Sequence, residues 1–350
     1  MFKILCIGDP HIKVDNISEF NIFEEKLEEL IKKENPDFIV CLGDILHTHE
    51  RLHTIALNKA YSFIDKLRNF CKTYLLVGNH DYIHNQEHLT SNHWMNSLKE
   101  WKNVCVADKV LSLQKEGKLF IFCPYVFPGK FKEALSTNTE CNWKEASIIF
   151  AHQEMKGCKM GPIVSVEGDE WDESLPHIIS GHIHSNQTPS PNIYYPGSAL
   201  QNAFGESERN IIPIIEIGES KNYFLREIDL GLPRKKIISY DIDKIDNAKI
   251  NNDNGDKIKL NIKGNYEDFK TFKKTTKYKE LVEKGITIVF KNKPNNEIEN
   301  KNEDKPLEKE KLESGDNFKK LLLTLVLKEQ NKNLYSFYEK IINNNEVLVL

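Results

Sequence analysis

A chain of 350 residues has room for one large domain and a smaller one, and its 39% hydrophobic and 29% charged residues read as an ordinary soluble globular protein. The net charge of −4 supplies no global pull toward nucleic acid, so such a partner would have to be held by a local basic patch. No apolar run approaches the roughly 20 residues of a membrane span, and Met1–Gly8 runs too soon into charged motif residues for a signal peptide, so an intracellular protein, cytoplasmic or nuclear, is expected.

Ile4–Ile7, Phe38–Leu42 and Tyr74–Val77 are brief apolar runs that end at glycine turns, the pattern of strands buried on both faces. Between them, Phe20–Lys33 and Thr54–Phe70 carry apolar residues at helical spacing. Further strands are predicted at Leu119–Cys123, Ser147–Ala151, His177–Ser180, Ile211–Ile217 and Tyr223–Ile228. Two β-α-β units followed by a strand-rich stretch predict an α/β domain of two packed sheets over residues 1–230. Beyond Leu230-Gly231-Leu232-Pro233, strands at Lys236–Ile242, Ile258–Ile262 and Ile286–Phe290 with a helix over Tyr266–Lys284 predict a small α+β domain spanning 231–291. Residues 292–316 are nearly all Asn, Lys, Glu or Asp and read as a flexible charged linker. Residues 317–350 read as a C-terminal helical hairpin whose apolar face must be buried on a partner or on the parent domain. The 7 cysteines contain no Cys-x-x-Cys pair, and buried free thiols are expected rather than zinc fingers or disulfides.

Five short cassettes stand where predicted strands end: Asp9-Pro10-His11, Gly43-Asp44 running into His47, Gly78-Asn79-His80-Asp81, Ala151-His152 and Gly181-His182-Ile183-His184. In open α/β sheets functional groups gather at the carboxyl ends of strands. One such dipeptide means little, but five in register would bring carboxylates, imidazoles and an amide oxygen to one edge. Those are the ligands of paired divalent cations. Two cations about 3.5–4 Å apart need a bridging anion, which a carboxylate supplies, and neutral imidazoles complete each sphere while leaving room for water and phosphate.

The cassettes resemble the calcineurin-like metallophosphoesterase superfamily, whose fold is a two-sheet αββα sandwich. Within it the chain is similar to the SbcD-type nucleases of double-strand-break repair. Gly43-Asp44-Ile45-Leu46-His47 matches that family's block, Gly78-Asn79-His80-Asp81 matches the superfamily block in its Asp form, and Tyr195-Pro196-Gly197-Ser198 with Phe204-Gly205-Glu206 is similar to the block after the last metal histidines. The small α+β domain falls where the family keeps its DNA-capping domain. The resemblance implies a first metal on Asp9, His11 and His184, a second on Asn79, His152 and His182, and Asp44 bridging the two. It further implies His80 facing the scissile phosphate with Asp81 orienting its ring, His47 as a second phosphate-facing histidine, and manganese as the preferred metal. DNA as substrate, an SbcC-type coiled-coil ABC ATPase as partner and a homodimer follow from the same resemblance; the amphipathic helix Thr54–Phe70 and the stretch around Leu89–Trp101 are the candidate two-fold surfaces in the sequence. One departure is Tyr82-Ile83-His84, where the family often has proline.

Rival readings are an enzyme of the same superfamily acting on small phosphoesters, and a non-catalytic scaffold. Protein phosphatases of this class carry Gly-Asp-x-Val-Asp-Arg-Gly and Gly-Asn-His-Glu, neither of which is present, and a scaffold would have lost ligands that are all here. His49, His53, His84, His88, His93 and His177 fall in no motif and read as surface or packing residues. The lysines of the small domain, among them Lys257, Lys259, Lys263, Lys270 and Lys273, form either a solvated face or a phosphate-contacting one.

Overall fold

The computed structural model describes residues 2–49, 51–84, 88–218, 223–248, 250 and 255–292, together with Leu323, Val326, Leu327 and Tyr338. Those last four are helical; the predicted linker and hairpin otherwise lie outside the described residues.

The first strands are β1 (Phe2–Ile7), β2 (Phe38–Cys41), β3 (Lys72–Leu76), β4 (Val104–Ala107), β5 (Leu111–Lys115), β6 (Lys118–Phe122) and β7 (Ile148–His152). They are followed by β8 (Lys159–Met160), β9 (Ile163–Val164), β10 (His177–Gly181), β11 (Gln187–Ser190), β12 (Ile193–Tyr195), β13 (Ile211–Ile217) and β14 (Tyr223–Asp229). Last come β15 (Lys235–Asp241), β16 (Lys257–Gly264) and β17 (Thr287–Asn292). The helices are α1 (Ile17–Glu34), α2 (Thr54–Phe70), α3 (Phe131–Leu135), α4 (Tyr266–Phe272) and α5 (Thr276–Glu283).

Two 6-stranded sheets, ordered β14-β13-β1-β2-β3-β4 and β11-β12-β10-β7-β6-β5, pack face to face. The apolar runs are continuous because each strand feeds two cores. In β1, Phe2, Ile4 and Cys6 point between the sheets, while Leu5 and Ile7 meet the helices α1 and α2. In β7, Ile148 and Phe150 enter the inter-sheet layer and Ile149 and Ala151 the outer one, where α3 packs. Aromatic rings fill the middle layer: Tyr74 and Phe122 stack across it with centroids 4.1 Å apart. The α/β two-sheet sandwich expected from the resemblance is therefore the observed fold.

The parallel core of each sheet matters for function. β1, β2, β3 and β4 run parallel, as do β6, β7, β10 and β12, so both sheets send strand C-termini to one side. A third sheet, β15-β16-β17, is parallel and has its own apolar cluster with α4 and α5. It is tied to the large domain: Lys235 N–H donates to Gln201 Oε1 at 2.6 Å, and Glu19 pairs with Lys257. The single helix predicted over Tyr266–Lys284 is two, because the Thr275 hydroxyl accepts the N–H of Tyr278 at 3.2 Å and caps a new helix. Among the described residues, no helix is long and apolar enough to cross a membrane.

Candidate metal centre

Three of the five cassettes leave their strands through strained backbone. Asp9, His11, Asp44 and His182 all have positive φ, at 40°, 45°, 51° and 79°. Non-glycine residues rarely adopt this conformation, and each instance costs on the order of 1–3 kcal/mol. Strain concentrated at strand ends marks positions where side-chain direction matters more than backbone comfort.

The turns bring all seven expected ligands together. His11 Nε2 lies 2.9 Å from His184 Nε2 and 3.5 Å from Asp44 Oδ2. On the other side, Asn79 Oδ1 lies 3.0 Å from His152 Nε2 and 2.8 Å from His182 Nδ1. Asp44 stands between the two groups, with Oδ1 3.3 Å from His152 Nε2. Asp9 accepts the His182 N–H through Oδ1 at 2.8 Å, while its buried Oδ2 has no hydrogen-bond partner. An orphaned buried carboxylate oxygen is costly unless something positive meets it.

Hydrogen bonds on the far side of the rings fix which nitrogens are free. A carbonyl can only accept, so His152 Nδ1–H donates to Leu42 O at 2.6 Å and its Nε2 faces the centre. His184 Nδ1 faces Glu206 Oε1 at 3.2 Å, which turns Nε2 inward in the same way. This is how second partners orient metal-bound imidazoles. The donor set, the orphaned Asp9 oxygen and the ring tautomers all fit a pair of divalent ions. Electrostatically, burial lifts Asp9 to about 6, against the pull of His152 and His184. For His152 burial opposes the charge, but the Asp44 carboxylate outweighs it and raises the ring to about 9, so a cation arriving at Nε2 must displace a proton. Burial beside His152 lowers His182 to about 3, so that ring is neutral and ready to donate a lone pair.

The remaining site residues divide. His80 Nδ1–H donates to His47 O at 2.7 Å, and its Nε2 lies 4.0 Å from Asp44 Oδ2, at the open side of the centre. His47 Nδ1 lies 3.4 Å from His11 Nδ1, placing that ring in the same cluster. Asp81 does not orient the His80 ring, contrary to expectation. Its buried carboxylate takes N–H groups from Gly78, Ile45 and Leu46 and the Trp94 indole, at 3.0, 3.4, 3.4 and 2.8 Å. Asp81 thus ties the Asp44 turn to the Asn79 turn, and the carbonyl of His47 does the orienting. Burial, with Asp44 nearby, pushes Asp81 up to about 7.

Two contributors were not singled out from the sequence. His49 stacks on His80 with ring centroids 4.5 Å apart. Glu206 holds His184 and also accepts the N–H groups of Asn202 and Ala203 through Oε2, at 2.7 and 2.9 Å. Its signal was the Phe204-Gly205-Glu206 block, although nothing local links residue 206 to residue 184. Glu206→Gln is expected to weaken metal binding about 10–100-fold, measured by titration calorimetry on metal-free protein; unchanged affinity would show that His184 needs no carboxylate.

A family model described as "Calcineurin-like phosphoesterase" matches residues 2–186, more than half of the chain. "Putative phosphoesterase 244L" of Invertebrate iridescent virus 6 is 48% identical over 279 residues, covering 78% of this chain and 97% of the viral protein. "Putative phosphoesterase 078R" of Invertebrate iridescent virus 3 is 43% identical over 299 residues, covering 85% and 86%. Among solved structures, a dimetal phosphatase from Danio rerio matches with TM-score 0.40 and 12% identity over 65% of this chain and 95% of that one, a likeness too low to add weight. From the family match and the viral relatives, joined to a donor set built for two cations, the chain belongs to the calcineurin-like phosphoesterases, dinuclear-metal-dependent hydrolases of phosphoesters.

Proposed function

We propose that this phosphoesterase is a manganese-dependent DNA exo- or endonuclease, the catalytic subunit of an ATPase-coupled repair or recombination complex. The observation that carries the reading is the position of the small sheet. Lys235 N–H is bonded to Gln201, which seats the small sheet beside the metal edge, and Lys259 Nζ lies 5.8 Å from the Phe204 ring centroid, so its ammonium flanks the loop whose Glu206 holds His184. Lys13 Nζ, 3.5 Å from Asn202 O, extends the same surface. A phosphate chain leaving the metal edge would pass along these ammonium groups, the kind of contact that makes nucleic-acid binding salt-dependent. A small ester would have no use for them. The SbcC-type coiled-coil ATPase partner and the homodimer rest on the sequence resemblance alone.

Metal ions, when bound, supply positive charge at the phosphate and lower the pKa of water. The chain supplies the rest. Asp44, Asp9, Asn79 and four histidines fix where that charge sits. His80, with Nδ1–H locked on His47 O, presents Nε2 to the phosphate side; burial lowers its pKa, so Nε2 carries a lone pair there and the ring would have to take up a proton before giving one to the leaving oxygen. His47, half-buried beside it, adds a second imidazole toward the phosphate.

Purified protein with Mn²⁺, offered linear DNA and p-nitrophenyl phosphate esters, tests the proposal. Wild type is expected to cut DNA, and His80→Ala to lose about 10²–10³-fold in kcat with metal affinity retained. Hydrolysis of small esters with intact DNA, even after addition of the ATPase, would overturn the nuclease reading in favour of a small-molecule phosphodiesterase.

A further inference from the structure

Beside the metal edge lies an open cleft of about 510 Å³ whose lining is mainly apolar, within the roughly 300–1,000 Å³ typical of small-molecule sites. Its floor is His182, Ile183 and His184, so whatever enters it adjoins the metal ligands. One wall is the Phe204 ring, half-buried; the other is the hairpin β8–β9, where Met160 is exposed. Neither side chain belongs to the apolar clusters that hold the sheets together. Folding alone does not explain an aromatic ring and a thioether lining one open cleft at a phosphoesterase centre.

Both walls are fixed to the segment that carries the ligands. Glu206 binds His184 and closes the loop under Phe204 through the N–H groups of Asn202 and Ala203. Opposite, Lys159 N–H donates to Gln187 Oε1 at 2.8 Å and Gln187 Nε2 donates to Lys159 O at 2.9 Å, pinning the hairpin three residues beyond His184. The gap is therefore set by the same backbone that positions the metal ligands. Phe204 also lies within 5.8 Å of the Lys259 ammonium, which polarises the ring.

We propose that this cleft receives the nucleobase of the nucleotide flanking the scissile phosphate, with Phe204 as the stacking platform and Met160 closing the opposite side; the inference deepens the nucleotide-substrate reading above and rests on it. A base offers a flat π-face to the ring whatever its sequence, and its phosphate lies one sugar away, where the metal edge begins. An alkyl chain would gain from the apolar walls but not from the aromatic plane.

The test compares two p-nitrophenyl diesters with the same leaving group, thymidine 5′-(p-nitrophenyl phosphate) and p-nitrophenyl butyl phosphate, on the full chain with Mn²⁺. Wild type is expected to show a KM about tenfold lower for the nucleoside ester, as one stacked base supplies. Phe204→Ala should erase that ratio, and Phe204→Tyr should keep it. Should Phe204→Ala fail to fold by thermal melt, Phe204→Leu, apolar but not aromatic, must erase the ratio as well. Equal KM values in wild type, a preference for the butyl ester, or a ratio that survives loss of the aromatic ring would overturn the platform. The two proposals fail separately: intact DNA with a nucleoside preference sinks only the nuclease reading, whereas cleaved DNA without that preference sinks only the platform.

Discussion

Asp44→Ala is expected to lower phosphoester hydrolysis on the order of 10³-fold or more and to reduce bound metal below two ions per chain by elemental analysis. Asp44 stands between the two ligand groups, with Oδ2 3.5 Å from His11 Nε2 and Oδ1 3.3 Å from His152 Nε2. Without it the site loses its bridging anion, and Asp9 alone among the surviving imidazoles and amide leaves most of the charge of two divalent ions unneutralised. The fold should survive. Removing the carboxylate deprives the His80 N–H of an acceptor at 2.9 Å, but it also relieves the repulsion that Asp44 exerts on Asp9 and Asp81. The melting temperature of metal-free protein should therefore change little while metal-induced stabilisation disappears. Full activity in the variant would mean that some other group bridges the ions.

Gly78→Ala is expected to act on the same centre from the backbone. A Cβ at residue 78 would stand 2.2 Å from Asp44 Oδ1 and 2.4 Å from Asp44 N. The second atom is main chain, so no rotamer change relieves the overlap, and the β2 and β3 turns must move apart. Overpacking of this kind costs about 1–3 kcal/mol, and a 1 Å displacement of reacting groups costs about 10²-fold in rate. A fall of that size in kcat, with a lower denaturation midpoint, is the expected outcome. Wild-type rates in a variant of unchanged stability would show that the two turns are not held in contact.

The main features of this site could be read from the sequence because strand ends carry the ligands. Apolar runs buried on both faces announce β1, β2, β3, β7 and β10, and in each the motif residue follows within a few positions. Strands whose outer face is wetter gave weaker signals. β5 is only partly buried, β11 reads Gln-Thr-Pro-Ser, and β4 is four residues long at a sheet edge, so none stood out as a strand. Residue roles set by tertiary contact were the least legible. Asp81 sits beside His80 in the chain, which suggested a pair, yet the turn sends its carboxylate toward the Asp44 loop. Glu206 reaches His184 only because the loop after β12 folds back along the metal edge, and His49 reaches His80 only because the loop after Asp44 turns back onto the His80 ring.

The most direct measurement is anomalous scattering at the manganese edge from crystals grown with Mn²⁺. The expected result is two peaks about 3.5–4 Å apart, one against Asp9, His11 and His184, the other against Asn79, His152 and His182, with Asp44 touching both. A map with no peak at this edge, or with a lone peak out of reach of Asp44, would contradict it.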